Sequence, residues 1–448
     1  MGRGVILGVW LCVCAPIAVG QTLFDALALT YGSNPTLLSQ RAQLRETQDN
    51  ITIAQALRFP TLGISGQSRI NRFGSNNFGQ DGGGVSRGFS AGINANQSVF
   101  QGGFRRAQIA QAKASTRAGV ATLRSVEQEV MVSVVDAYAT VLLNEEILDI
   151  RLNNRKVLDR QLQAARDRFE VGEITRTDVA QAEARLAAAM SDLADARAIL
   201  ANARAAYAAV VGEFPGTLAD VPPHPELPAS LEDAQGAAIV NNPDLDAQRH
   251  IETAARQGIK IARSALRPTF DINSGGARSR SLGFPGQISN SANLGANVNV
   301  PLLSLPDNVR TRQARQSASR ARIDIAVVRR QVEQRVALAW NNLLAARAVA
   351  ESSVEQIRAA QVAFEGVEQE AFVGLRTTLE VLDSEQELLN AQLTKVTADR
   401  DLYLAAFELL AAVGAADAES LSVDVTLYDP DAYLRDTRWK FFKTSIDE

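Results

Sequence analysis

The sequence predicts an α+β membrane protein in which long antiparallel coiled-coil helices are combined with four strands per chain. Three observations lead to this prediction: the chain is a tandem duplication, each half contains long charged helices, and each half contains two extended segments of alternating polarity. With 448 residues and a net charge of −4, the chain carries no basic excess that would favour a nucleic-acid partner.

The duplication is visible as matching positions at a nearly constant spacing. Residues 34–64 match residues 242–272 at a spacing of 208 without a gap, and 171–212 match 373–414 at a spacing of 202. Such slow drift is expected from insertions in loops. The predicted organisation is a first repeat (21–212), a Pro-rich linker (213–228), a second repeat (229–414) and a C-terminal tail (415–448).

The first twenty residues predict a secretory signal peptide, residues 1–20. They contain one Arg, an apolar run from Val5 to about Ala18 and small residues at the end. The run is short for a transmembrane anchor. Cys12 and Cys14 are the only cysteines of the sequence, and neither follows the small residue of a lipoprotein signal. We therefore expect an exported chain with neither a lipid anchor nor disulfides.

Long helices account for most of each half. One helix is predicted from about Thr22 to Leu57, and another of roughly 65 residues from about Phe104 to Arg168, where proline is absent. The returning helices carry seven-residue repeats that predict antiparallel coiled coils. The seam positions of the first are Val179, Leu186, Leu193, Leu200 and Tyr207 with Ala182, Ala189, Ala196, Ala203 and Val210; those of the second are Val381, Leu388, Lys395, Leu402 and Leu409 with Ser384, Ala391, Ala398, Ala405 and Ala412.

Four extended segments are predicted as strands, at about 60–74, 87–100, 268–281 and 289–303. Apolar residues alternate in them with Gly, Ser and Asn, a composition that suits a wall between lipid and water. Four strands cannot close a barrel, and each unpaired backbone group at an edge costs several kcal/mol in a bilayer. Either the strands form a soluble sheet, or several chains each contribute four strands to one barrel.

The duplicated plan, the Asn-Pro near the start of each half and the Val-Gly helical turns together resemble the TolC family of outer-membrane exit ducts. The most specific sequence segments are RFEVGEITRTDVAQAEARL and FVGLRTTLEVLDSEQEL. The resemblance covers nearly the whole mature chain. It implies a homotrimer in the outer membrane of a Gram-negative bacterium. Three chains would form a twelve-stranded β-barrel, continued by a twelve-helix α-barrel across the periplasm, with the linker and the tail in the equatorial region.

The resemblance also implies function and partners. The chain would be the exit duct of a tripartite type I secretion or efflux system, working with a periplasmic adaptor (membrane fusion) protein and an inner-membrane ABC or RND-type transporter. The missing lipoprotein cysteine and the tail YDPDAYLRDTRWKFF favour the type I secretion branch. Two alternatives remain: an envelope-spanning structural protein or trimeric adhesin without transport activity, and a periplasmic coiled-coil chaperone.

The two helical turns are the candidate functional site. Thr175 with Asp178, and Thr377 with Glu380, have the spacing of capping boxes, which explains these residues without any gate. Under the resemblance, the adaptor-binding tip comprises Val171, Gly172, Val373, Gly374 and Leu375. The periplasmic gate comprises Arg376, which would bond to Thr177 and Asp178, and the constriction acids Glu380 and Asp383. A tyrosine of the family's network is replaced by Ala371, beside Phe372.

Other sites find little support in the sequence. His224 and His250 lie far apart without the spacing of metal ligands, and no motif suggests an enzyme or a cofactor. Pro60 and Pro268, each followed by Thr, are predicted to mark the boundary where a periplasmic helix becomes a membrane strand, because proline ends helical hydrogen bonding.

Overall fold

The computed structural model describes residues 20–73, 84–281 and 288–437. The predicted signal peptide up to residue 19, most of the Gly-rich loop between the first two strands, the loop 282–287 and the end of the tail lie outside these residues. Within them the chain forms helices α1 to α9 and strands β1 to β4. In chain order these are α1 Leu23–Ser33, α2 Pro35–Ala56, β1 Thr61–Phe73, β2 Gly84–Gln101, α3 Phe104–Glu170, α4 Arg176–Val211, α5 Leu231–Asn241, α6 Pro243–Ser264, β3 Thr269–Ser281, β4 Ile288–Asn299, α7 Leu305–Phe372, α8 Thr378–Val413 and α9 Ala432–Thr437.

The first helix differs from the prediction, because α1 and α2 replace the single helix expected from Thr22 to Leu57. Asn34 separates them with an extended backbone (φ −65°, ψ 123°). Its side-chain oxygen accepts hydrogen bonds from the amides of Thr36 and Leu37, and Pro35 occupies the first helical position, where its missing N–H costs nothing. Asn242 and Pro243 divide α5 from α6 in the same way.

The described chain divides into two compact units. The first consists of the described residues of Met1–Leu38, Val126–Ala238 and Arg335–Leu427. In it the hydroxyl of Tyr138 lies 2.6 Å from the carbonyl oxygen of Ala219 and 2.9 Å from that of Gln21. Gln21 also forms a bridge to Leu218. These bonds hold residues 218 and 219 against Gln21.

The coiled-coil seams of α4 and α8 are largely buried, as their seven-residue repeats predict. In α4 the seam alanines and leucines from Ala182 to Ala203 are buried or half-buried, and Val211 replaces Val210 at the last position. The buried face of α8 is wider than two rows, since Leu382, Leu389, Tyr403 and Leu410 are buried as well. The wider face follows from α8 packing against more than one neighbour, which a single heptad does not indicate.

The second unit consists of the described residues of Ser39–Ser125, Ile239–Gln334 and Tyr428–Glu448. It contains one antiparallel sheet in the order β1-β2-β3-β4, so that β1 and β4 are its edges. Strand β4 ends at Asn299 rather than near Leu303 as predicted, because Pro301 has no N–H to donate to the ladder.

The two faces of the sheet differ in chemistry. The register places Leu62 beside Ala95 and Ile64 beside Ile93 on one face, with Ser274 beside Leu294 continuing the first row. Leu62, Ile64 and Leu294 are 76%, 85% and 81% exposed in the single chain. The opposite face carries small and polar residues, including the row Gly63, Asn94, Gly275 and Asn293. The sheet therefore presents an apolar, unburied face and a polar one.

Two absences concern the described residues alone. None of their helices is both long and apolar enough to cross a bilayer. Across the same residues, no group of three or more His, Cys, Asp or Glu side chains is placed to hold a metal ion.

Candidate functional site: the two helical turns

The first turn joins α3 to α4 within the first unit. Gly172 follows the end of α3 with φ at +81°, a conformation that favours glycine. Its amide donates to the carbonyl of Phe169 at 3.0 Å, and the amide of Glu173 donates to that of Arg168 at 2.9 Å. These bonds satisfy carbonyls at the end of α3 and reverse the chain within five residues, 171–175.

The second turn, between α7 and α8, repeats this geometry. Gly374 has φ at +80°, its amide donates to the carbonyl of Ala371 at 3.1 Å, and that of Leu375 donates to Glu370 at 2.9 Å. An added Cβ at Gly172 or Gly374 would meet nothing within 4 Å. The backbone angle, and not crowding, therefore favours glycine at both positions.

The predicted capping boxes are confirmed in both turns. The hydroxyl of Thr175 accepts from the amide of Asp178 at 3.3 Å, and the Asp178 carboxylate accepts from the amide of Thr175 at 2.8 Å. Thr377 and Glu380 exchange the equivalent bonds at 3.3 and 2.8 Å. Each box satisfies amides that the start of a helix leaves free.

Apolar side chains are exposed at both turns. Val171 is 72% exposed in the first turn, and Val373 and Leu375 are 66% and 76% exposed in the second. Phe372, at the end of α7, is also exposed, whereas Ala371 beside it is buried. Clusters of exposed apolar residues on a structured tip are typical of surfaces that bind another protein. The structure thus brings the predicted tip residues into solvent on two similar turns.

Arg376 lies between two carboxylates of its own turn. It donates to Glu370 at 2.7 Å and to Glu380 at 2.8 Å. These two bonds raise the pKa of Arg376. The amide of Thr377, followed by the Arg376 and Thr377 side chains, lowers the pKa of Glu380 to about 2. Glu380 therefore stays ionised at any pH near neutrality.

The other predicted gate residues have the following surroundings. Asp178 is half-buried and bonded to Thr175, and Thr177 is exposed. Asp383 on α8 accepts a hydrogen bond from Arg185 on α4 at 2.6 Å. The bond predicted between Arg376 and the pair Thr177 and Asp178 stays a prediction, since the recorded partners of Arg376 are Glu370 and Glu380.

Two of these partners, Glu370 and Arg185, are not predicted by the sequence pattern. Glu370 lies six residues before Arg376, a spacing that becomes a contact only because the turn folds back. Arg185 and Asp383 are 198 residues apart, and no motif links them. The match between the repeats could have suggested that α4 and α8 are neighbours, but not which charged side chains meet.

The predicted boundary prolines lie in the second unit. Pro60 lies between the end of α2 and the start of β1, and Pro268 lies between α6 and β3. Nearby, Arg267 donates to the carbonyl of Gly102 at 3.1 Å. A Cβ at Gly102 would approach the Ser264 carbonyl oxygen to 2.6 Å, so the chain after β2 passes close to the end of α6.

Comparison with known proteins defines the class. The outer membrane efflux protein family matches residues 27–213 and 235–415, which is most of the chain and both repeats. The chain therefore belongs to the outer membrane efflux protein family. It is an outer-membrane exit-channel protein with the α+β fold predicted from the sequence.

Individual relatives agree with this assignment. The chain is 34% identical to the outer membrane efflux protein BepC of Brucella suis over 429 residues, covering 95% of this chain and 92% of the relative. It is 24% identical to the outer membrane protein TolC of Escherichia coli, covering 93% and 87%. The fold resembles that of the Campylobacter jejuni CmeC outer membrane channel, with a TM-score of 0.76, 14% identity and coverage of 92% and 88%.

Proposed function

We propose that this chain forms a homotrimeric exit duct of a tripartite type I secretion or efflux system. Substrate would pass from an inner-membrane ABC or RND-type transporter and a periplasmic adaptor protein to the outside. The duct would be gated at the helical turns. The main support for the proposal is the four-stranded sheet, with its exposed apolar face and two edge strands.

The sheet supports a shared barrel for energetic reasons. β1 and β4 each pair on one side only among the described residues. Unpaired backbone groups are too costly in hydrocarbon to persist, so a membrane-inserted sheet needs partners at both edges. Three chains would supply twelve strands, with the Leu62 and Ile64 face toward lipid and the Gly63 and Asn94 face toward water. Pro60 and Pro268 would then lie near the periplasmic boundary of the membrane.

The exposed apolar turns support an adaptor-binding tip. Val171 and Gly172 in one turn, and Val373, Gly374 and Leu375 in the other, present similar apolar groups on glycine turns of the same backbone geometry. Three chains would present six such turns. An adaptor that contacts them would bury apolar surface that the single chain leaves in water.

The charged residues beside the turns support the gate. In the closed trimer, Arg376 would bond to Thr177 and Asp178, while Glu380 and Asp383 would line the constriction. Glu370 and Glu380 would compete for the same guanidinium. An exposed ion pair contributes only about 0.2–1 kcal/mol. The closed gate would therefore depend on three equivalent sets of these bonds, one per chain, that break together.

Cysteine cross-linking tests the shared barrel. Asn293→Cys on β4 is combined in turn with Gly63→Cys, Ser65→Cys and Gln67→Cys on the same face of β1. At least one combination should yield a disulfide-linked trimer in outer membranes. Ser68→Cys, on the opposite face, is the matched control and should not cross-link. Chains that stay monomeric in every combination would contradict the proposal, and trimers without ion conductance would favour the structural or adhesin alternative.

A further inference from the structure

Glu385 on α8 is a buried carboxylate in the first unit without a visible partner. The residue is 6% exposed, and both its carboxylate oxygens are enclosed without a hydrogen bond from the described residues. Placing an unpaired negative charge in such a site is strongly disfavoured, whereas a protonated carboxyl is tolerated. None of the functions proposed above explains an acidic residue at this position.

Two other helices, α3 and α4, line the space beside Glu385. A cavity of about 40 Å³ beside it is lined by Asn154 and Leu158 of α3 and by Arg185, Ala189 and Asp192 of α4. Leu158, Ala189 and Leu382 also belong to an apolar cluster that joins α3, α4 and α8. The carboxyl group therefore lies at the edge of the apolar contact that holds the first part of α8.

The charged groups that face Glu385 do not neutralise it. Glu368 of α7 is a second carboxylate, and Arg160 of α3 is the opposing cation. Of the two charged groups on α4, Arg185 is bonded to Asp383 at 2.6 Å and Asp192 to Arg151 at 2.7 Å. Burial first, and then the charge of Glu368, raise the pKa of Glu385 to about 7, while Arg160 acts in the opposite direction.

A neighbouring chain cannot supply the missing partner without disturbing this packing. The oxygens are already enclosed by a single chain. Any group from outside would have to open the contact between α8 and the helices around it.

We propose that Glu385 is a proton-responsive switch: its neutral form keeps the first part of α8 packed against α3 and α4, and its ionisation opens that contact. The switch itself concerns only the packing of one chain. Its consequence for the channel rests on the proposed function, because Glu380 and Asp383 of the gate lie on the same part of α8.

The sign of the pH effect follows from the raised pKa. A carboxyl that binds its proton more tightly in the packed state stabilises that state most at low pH. The stabilisation declines as the pH rises from the ordinary value of 4.5 to about 7 and is then constant. Between pH 5 and pH 8 the local opening equilibrium should increase about 70-fold.

Hydrogen exchange of the purified full-length protein in detergent measures this opening. Residues 378–390 are followed at pH 5 and pH 8, and rates are corrected for intrinsic exchange. Protection in the wild type should fall about 70-fold at the higher pH. The fall should be absent in Glu385→Gln and retained in Glu387→Gln, which alters an exposed acid two residues away.

Two results would overturn the switch: constant protection in the wild type, or an undiminished fall in Glu385→Gln. If Glu385→Gln does not fold, Glu385→Met provides a second neutral side chain, and constant protection in the wild type would still overturn the switch by itself. The experiment does not depend on conductance. Absence of conductance would therefore contradict the proposed function and leave the switch standing.

Discussion

Arg185 of α4 donates to the carboxylate of Asp383 of α8 at 2.6 Å, and so joins the first repeat to the second. Both residues lie within the first ten positions of their helices, each of which follows one of the two turns. The pair therefore connects corresponding parts of the two repeats, and it includes Asp383, which we assign to the gate.

The energetic contribution of this pair should be small. Arg185 and Asp383 side chains are 38% and 56% exposed, so solvent screens their attraction. We expect a coupling energy below about 1 kcal/mol from a double-mutant cycle of Arg185→Ala and Asp383→Ala in urea unfolding. A coupling of several kcal/mol would mean that the assembled trimer buries the pair.

The exposed leucine of the second turn should be required for adaptor binding. Leu375→Asp places a charge on the tip, where its cost appears only when apolar surface is buried by a partner. Adaptor binding, measured by pull-down of the detergent-purified complex, should fall at least tenfold. Val240→Asp on α5, at a valine that is 71% exposed, is the matched control and should bind normally. An equal loss of adaptor binding in both variants would argue against a specific adaptor-binding surface at the tip.

Alanine at the turn glycines should destabilise the protein through backbone strain alone. Gly374→Ala forces a residue with a Cβ to adopt φ at +80°, which costs about 1–2 kcal/mol, and no neighbouring atom adds a clash. Gly366→Ala, inside α7 and equally unobstructed, should instead stabilise by about 0.5–1 kcal/mol. The midpoint temperature of thermal unfolding should fall in Gly374→Ala and rise in Gly366→Ala. A shift in the same direction in both variants would contradict the turn geometry.

The bonds between Thr377 and Glu380 in the second capping box should be lost only at acidic pH. Because the pKa of Glu380 is lowered to about 2, its contribution is fully present above pH 4.5 and is lost as the pH falls towards 2. Hydrogen-exchange protection at the start of α8 should therefore decrease between pH 4.5 and pH 2.5 in the wild type and stay constant in Glu380→Gln. Glu385 is protonated throughout this range and does not interfere. A wild-type decrease complete above pH 4 would be incompatible with the lowered pKa.

The sequence was most informative where local chemistry decides the structure. Prolines, glycines and capping residues act within a few positions, so Gly172, Thr175, Gly374 and Thr377 were placed correctly from spacing alone. The Asn34-Pro35 break depends on the same capping chemistry, although the helix predicted from Thr22 to Leu57 runs through it.

Contacts between distant segments were not predictable in this way. Glu385 is one of many acids on α8, and its sequence neighbours do not distinguish it from the exposed Glu387. Its burial results from the packing of α3 and α4 against that position. The partners of Arg376 and Asp383 depend on the same packing, which a heptad pattern indicates only in outline.

Single-channel recording in planar bilayers tests the central claim most directly. Purified wild-type protein should insert as a trimer and show a small, stable conductance, because the gate restricts one end of the duct. Arg376→Ala should increase that conductance severalfold without changing the trimer, while Arg358→Ala, in a comparable exposed ion pair on α7, should leave it unchanged. A folded trimer that conducts no ions in any variant would contradict the account of this protein as an exit duct.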